Sequence, residues 1–152
     1  MANHSFQWLI IFYYCLVLLS TFLPADAPTM NEQTTNANSF ALIARDIFRK
    51  DGYSNKTTKS LDAEICSALI GTSYVVCSEI WNLIEPKNDA TMKGAHPKHL
   101  LWTLFFLKCY CTEEISTRVV GGVSNETFRK WTWLFVKAIA GLRGEIVSFM
   151  VD

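Results

Sequence analysis

The chain has 152 residues, half of them hydrophobic, and its 14 basic residues balance 14 acidic ones. This length suffices for one domain with a buried core. The zero formal charge excludes a strongly basic, polyanion-binding domain at the level of the whole chain. Even the segment 96–152 carries only seven basic residues against five acidic ones.

An apolar run over 8–23 stands near the start of the chain, and a small-residue sequence that resembles a cleavage signal follows it at 25–27. Sixteen helical residues reach about 24 Å, which is short of the ~30 Å hydrocarbon core of a bilayer. No Lys or Arg precedes the run. Three interpretations are open: a cleaved signal peptide over 1–27, an uncleaved anchor, or a fortuitous stretch from a faulty gene model. In each case we expect membrane contact only through residues 8–23.

Apolar residues recur at helical spacing from residue 39 onward, and strands nowhere alternate with helices. Residues 28–38 are polar and aperiodic, which predicts a linker. We expect Ser60 to cap a helix and Gly71 to end it. The helix over 96–110 is apolar nearly all round, so it is predicted to be the central one. Helices are predicted over 39–50, 60–70, 72–84 and 96–110, with loops over 51–59 and 85–95.

The segment 112–142 is typical of a helix-turn-helix unit. Thr112 is expected to cap a short helix, Gly121-Gly122 to reverse the chain, and Ser124 to cap a longer helix. Residues 145–151 either extend that helix or begin a strand. The predicted fold is therefore all-α, a small bundle of about six helices over 39–152, preceded by the apolar segment. The expected buried stripe of the longer helix is Phe128, Trp131, Phe135, Ala138 and Leu142.

In a helix-turn-helix, the first residues of the second helix reach base edges in the major groove. Basic side chains at that position indicate contacts to phosphate or bases, and a backbone amide at the helix start can bind phosphate. Most glycine-joined helix pairs are nevertheless plain hairpins, and the small excess of charge predicts weak binding unless the module dimerises. The predicted DNA-binding residues are Ser124, with its backbone amide, Asn125, Thr127, Arg129 and Lys130, with Arg118 and Lys137 on the DNA backbone.

No group of residues predicts catalysis or a metal site. The acidic residues are scattered, and Glu113-Glu114 is best interpreted as favourable charge at a helix start. His96 and His99 lie three residues apart without further ligands, which predicts a solvated pair rather than a zinc site. We therefore expect no enzymatic activity, no metal and no cofactor.

The spacing of the cysteines is not that of a disulfide framework. Cys109 and Cys111 are two residues apart on a predicted helix, so they cannot bridge each other or share a metal. With Cys66 and Cys77 they have apolar neighbours, as buried free thiols do. Trp133 lies off the apolar stripe of its helix and is a candidate partner contact.

Three blocks carry a resemblance to a known family: 71–81 (GTSYVVCSEIW), 96–110 (HPKHLLWTLFFLKCY) and 122–139 (GVSNETFRKWTWLFVKAI). They resemble the segment before the catalytic domain in Harbinger-like eukaryotic transposases of the DDE superfamily, over about 69–151. The resemblance implies a helix-turn-helix-like region whose RNase H-like catalytic domain, with its metal-binding carboxylates, would follow residue 151. It thus implies a truncated module without catalytic carboxylates.

Two functional hypotheses of different classes follow, and neither needs a cofactor. The first is a transposase-derived module that binds double-stranded DNA in the nucleus, with self-association as a second interaction. The alternative is a secreted or membrane-tethered helical module that binds a protein partner. A third interpretation, an untranslated relic, also stays open.

Overall fold

The computed structural model describes residues 30–48, 57–84 and 89–151, with side chains described over 37–48, 57–84 and 89–142. These residues form six α-helices and no strand, which confirms the predicted all-α class. The interpretations of 1–27 and 8–23 fall outside the described residues. The helices are α1 Met30–Phe48, α2 Thr58–Glu64, α3 Tyr74–Ile84, α4 Pro97–Cys109, α5 Glu113–Val119 and α6 Asn125–Val151, with a π-helical turn Ile65–Ile70 after α2 and a 3₁₀ turn Ala90–Met92 before α4.

The helix α1 begins at Met30, so the prediction of a linker over 28–38 is wrong for residues 30–38. No proline or glycine interrupts this polar stretch. Phe40, Ala44 and Phe48 dock the following turns in the core. Once those turns are fixed, each added polar residue costs only a few tenths of a kcal/mol in helix propensity. Apolar periodicity, which guided the prediction, is blind to such an extension.

The cap of α2 also differs from the prediction, because Thr57 rather than Ser60 occupies that position. Thr57 has an extended backbone, and its hydroxyl oxygen accepts a hydrogen bond from the Ser60 N–H at 3.3 Å. Several hydroxyl residues follow one another here, so local pattern alone does not choose among them. Gly71 ends the π-helical turn as predicted, with φ 81° and its N–H bonded to the carbonyl of Cys66 at 2.8 Å.

The helix α4 is the central element, as predicted. It packs against α1, α5, α6 and the π-helical turn. Eight of its thirteen residues are buried, and seven of these are consecutive, from His99 to Phe105. His96 caps its start and Tyr110 ends it. Because α4 lies at the centre, the neighbouring helices are held in position by packing against its apolar surface.

A polar contact joins α1, α2 and α3 at the rim of this core. The guanidinium of Arg45 donates to both carboxylate oxygens of Asp62, at 2.8 and 2.6 Å. The hydroxyl of Tyr74 donates to the same carboxylate at 3.3 Å. The hydrogen bonds from Arg45 lower the pKa of Asp62, although partial burial opposes them. The three helices are thereby tied through one carboxylate.

No single helix among the described residues has both the length and the apolar composition needed to cross a membrane. Only a bent pair, Thr58–Ile70 with Tyr74–Ile84 at 53°, reaches those two criteria together.

Candidate nucleic-acid interface

The chain from Thr112 onward forms the predicted short helix, turn and long helix. Thr112 caps α5 by accepting from the Ile115 N–H at 3.4 Å. Gly121 and Gly122 have φ of 113° and 75°, and they reverse the chain as expected. Ser124 then caps α6, its hydroxyl oxygen accepting from the Thr127 N–H at 3.2 Å. The helix α6 runs on to Val151, so residues 145–151 extend it and do not begin a strand.

One face of α6 is buried, and the predicted DNA-binding residues lie elsewhere on its surface. Phe128, Trp131, Phe135 and Leu142 are buried as expected, while Ala138 is half-buried. The structure therefore leaves the whole predicted set open to solvent, and places six of its members on or directly before one helix. The exposed residues are Arg118 on α5 and Ser124, Asn125, Thr127, Arg129, Lys130 and Lys137.

Both predicted arginines already have carboxylate partners. The Nε and Nη2 atoms of Arg129 donate to the carboxylate of Glu113, at 3.0 and 2.6 Å. This pair joins α6 to α5, and its hydrogen bonds lower the pKa of Glu113 and raise that of Arg129. Arg118 pairs with Glu114 one turn earlier on α5, at 2.6 Å. The acidic start of α5 therefore neutralises the arginine side of the interface.

The polar residues at the start of α6 also contact one another or α5. The hydroxyl of Thr117 lies 3.2 Å from Oδ1 of Asn125, and also 3.0 Å from the carbonyl of Glu114. The hydroxyls of Ser124 and Thr127 are 2.8 Å apart. The Asn125 side chain keeps its amide NH₂ as a donor, since only its oxygen is used in this contact. A ligand at this point would meet an ordered set of donors.

The opposite flank of α6 meets the start of α4 through aromatic rings. The imidazole of His99 stacks on the indole of Trp131, with ring centroids 4.2 Å apart and planes 5° from parallel. The rings of His99 and Trp102 also meet edge to face, with their centroids 4.8 Å apart. His99 is only 5% exposed, so the prediction of a solvated histidine pair is wrong for this residue. Helical spacing placed the two histidines on one face, but gave no sign that α6 covers it.

His96 remains exposed and acts as the cap of α4. Its Nδ1 accepts from the Lys98 N–H at 3.3 Å, and its own N–H donates to Nδ1 of His99 at 3.0 Å. Burial, with a smaller contribution from the charges of Lys98, His96 and Lys130, lowers the pKa of His99 to about 4. His99 is therefore neutral near pH 7.

Two lysine ammonium groups lie over the indole rings that contact His99. The ammonium of Lys130 lies 5.0 Å from the Trp131 ring, and that of Lys98 lies 5.6 Å from the Trp102 ring. Neither forms an ion pair with any carboxylate whose side chain is described. Sequence reasoning missed Lys98, because the ring contacts that bring α4 against the first turns of α6 join residues far apart in the chain. We call Lys98 and Lys130 the lysine flank. Among the described side chains, these two carry positive charge that no carboxylate pairs.

Trp133 is exposed to 49%, which agrees with its predicted position off the buried stripe. Arg129 stands one turn before it on α6, and Lys137 one turn after it.

The remaining reactive groups do not converge. Within the described ranges, no three His, Cys, Asp or Glu side chains form a group that could hold a metal ion. Cys66, Cys77, Cys109 and Cys111 are free thiols. Burial raises the pKa of the first three, which keeps their sulfur atoms protonated and unreactive.

Comparisons with protein-family models, with curated proteins and with solved structures found no match. The interface is therefore interpreted from its own geometry and charge.

Proposed function

We propose that the protein is a DNA-binding module that contacts double-stranded DNA through the start of α4 and the exposed side of α6. The observation that carries this proposal is the lysine flank, where neither Lys98 nor Lys130 is ion-paired with a described carboxylate and both lie near the His99–Trp131 stack. There the start of α4 packs against the second turn of α6. The amino-terminal end of α4 carries partial positive charge, which favours a phosphate group.

The roles of the residues follow from their positions. Lys98 and Lys130 bind phosphates as flexible point charges, and Lys137 contacts the DNA backbone two turns further along α6. The backbone amide of Ser124 adds a neutral donor at the helix start. Asn125, through its side-chain NH₂, and Thr127 are the candidates for base edges.

The arginines take a conditional part in this proposal. Arg129 and Arg118 can bind phosphate only if they leave Glu113 and Glu114, at 2.6 Å in each case. Such an exchange replaces one charged partner by another, so its net gain is small. Lysine contacts are therefore expected to dominate binding, with the arginines as a second, weaker contribution.

The resemblance to Harbinger-like transposases supports the same proposal and adds an origin. On that basis the protein is a transposase-derived module that binds DNA in the nucleus and has no catalytic activity of its own. Because few phosphates are neutralised, we expect weak binding with a shallow salt dependence, and self-association would strengthen it.

The test is a titration of a labelled duplex by the full chain at several salt concentrations. The double variant Lys98→Gln/Lys130→Gln is compared with Lys59→Gln/Lys108→Gln, which removes the same charge at exposed positions elsewhere. The first should weaken binding about ten-fold or more and reduce the salt slope by about two, whereas the control should change little. Equal effects of the two variants would remove the lysine flank from the interface.

A second candidate function, a helical protein-interaction module, is favoured by two exposed apolar side chains. Ile115 on α5 is 50% exposed and Trp133 on α6 is 49% exposed. A carboxy-terminal tag separates the two functions in cells. A nuclear, unprocessed product supports DNA binding, and glycosylation at Asn55 in the secretory route supports the interaction module.

A further inference from the structure

Trp133 occupies an unusual place on α6. It follows Phe128 by five residues, which turns it about 140° away from the buried face of the helix. The other tryptophan of α6, Trp131, is 8% exposed, whereas Trp133 is 49% exposed. Exposing an indole has a cost in hydration, so its surface is a candidate for a ligand.

Lysines lie one turn before and one turn after this indole along α6, and the ammonium of the first, Lys130, stands over the Trp131 ring. Lys130 precedes it by three residues and Lys137 follows it by four, so that the two lysines lie about 10 Å apart along the helix. Neither lysine is ion-paired with any carboxylate whose side chain is described. Of the nearby acids, Glu113 is engaged by Arg129, and Glu126 lies at the front end of α6. We call Lys130, Trp133 and Lys137 the α6 ridge.

The chemistry of the α6 ridge selects one kind of ligand. A flat aromatic face between two cations matches a polyanion that also offers flat rings, which is single-stranded nucleic acid. The bases of a duplex are stacked on each other, so they cannot stack on an indole without leaving the helix. A protein partner would find little apolar surface, because apart from the half-buried Val136 the neighbours of Trp133 on this side of α6 are charged or small: Arg129, Lys130, Lys137, Ala140 and Gly141.

We propose that the α6 ridge binds an unpaired segment of nucleic acid, with Trp133 stacked on a base and Lys130 and Lys137 on the flanking phosphates. This inference rests on the proposed function, since Lys130 also belongs to the lysine flank that is proposed to bind the duplex. The two surfaces share α6, so a duplex that ends in a single-stranded tail would cover both. The module would then prefer a junction over a blunt duplex.

The experiment measures fluorescence anisotropy of three labelled DNAs with the full chain: a blunt duplex, the same duplex with a thymine tail, and the thymine strand alone. Trp133→Leu removes the stacking face but keeps an apolar side chain, and Trp133→Phe keeps an aromatic face. Tyr110→Leu is the matched control, because Tyr110 is also an exposed aromatic residue, at 61%, but lies at the far end of α4.

The wild-type chain is expected to bind the tailed duplex about five-fold or more tighter than the blunt duplex. Trp133→Leu should abolish this difference and leave binding of the blunt duplex unchanged. Trp133→Phe should keep most of the difference, and Tyr110→Leu all of it.

Other results separate this inference from the proposed function. Equal, lysine-dependent binding of blunt and tailed duplexes that Trp133→Leu does not alter overturns the inference alone. Trp133-dependent binding of the strand without binding of the blunt duplex supports the inference and overturns the proposed duplex site. If tail preference is absent and Trp133→Leu instead dissociates a dimer or releases the chain from anionic vesicles, the α6 ridge binds a second copy or a membrane, and the inference is overturned.

Discussion

His99 and Trp131 form a nearly parallel stack, 4.2 Å between ring centroids, and this contact joins the first turn of α4 to the second turn of α6. Both residues are almost completely buried. The contact brings both Lys98 and Lys130 near His99, although 32 positions separate the two lysines in the chain. The proposed interface therefore depends on a neutral imidazole at its base.

The state of His99 predicts a loss of stability in mild acid. Its pKa in the folded protein is about 4, below the ordinary value of 6.5, chiefly because of burial. The unfolded chain therefore takes up this proton first as the pH falls. The stabilisation is complete above about pH 6.5 and is lost between that pH and about 4, at no more than about 1.4 kcal/mol per pH unit.

The measurement is chemical denaturation at several pH values, with His99→Phe as the comparison. Phenylalanine keeps a ring against Trp131 but cannot be protonated. The variant should lose the pH dependence between pH 6.5 and 4 that the wild type shows. Parallel pH profiles of the two proteins would mean that His99 does not titrate as inferred.

The ion pair between Glu113 and Arg129 predicts that Glu113 restrains DNA binding. The Glu113→Gln change frees the guanidinium of Arg129 and removes a negative charge from the interface. We expect the dissociation constant for a duplex to fall by about two- to five-fold at low salt. Titration of a labelled duplex measures this change.

Glu114→Gln provides a control, because it frees Arg118 on α5, which lies farther from the lysine flank. A smaller gain is expected from it. If Glu113→Gln weakened binding, then Glu113 would serve mainly to position Arg129 and the restraint would be absent.

Local physical rules predicted much of this fold. The caps Thr112 and Ser124 and the glycine at residue 71 follow from hydrogen-bonding needs and backbone freedom at helix ends. The buried stripe of α6 follows from helical spacing. Such features depend on residues within four or five positions of each other, so they can be inferred from a single sequence.

The charge balance of the candidate interface could not be inferred in this way. Glu113 and Arg129 are 16 positions apart, and their pairing depends on how the glycine turn brings α5 against α6. His99 was expected in solvent because its neighbours in sequence do not show that Trp131 covers it. Tertiary contacts thus pair Arg129 with a carboxylate, so that the lysines and not the arginines carry the unpaired positive charge among the described side chains.

Gly71 is predicted to tolerate substitution poorly. Its φ is 81°, and an added Cβ would lie 3.1 Å from the side-chain Cδ of Lys108. We expect Gly71→Ala to lower the free energy of unfolding by about 1–2 kcal/mol, measured by urea denaturation. Gly94→Ala is the control, since Gly94 has φ 86° but open space around it. If Gly71→Ala and Gly94→Ala lowered the free energy of unfolding equally, the Lys108 side chain would move away from the new Cβ without cost.

Replacement of Tyr110 by glycine is predicted to stabilise the protein, because Tyr110 has a backbone conformation that glycine adopts more easily. Its φ is 52°, and among the described non-glycine residues it alone has a positive value. Its N–H closes α4 on the carbonyl of Phe106 at 3.1 Å, while 61% of the residue is exposed. Tyr110→Gly should relieve the backbone strain, keep this hydrogen bond and raise the free energy of unfolding by up to about 1 kcal/mol. Tyr110→Ala, which removes the ring without relieving the strain, should not stabilise; if both variants destabilise equally, the ring itself holds the end of α4.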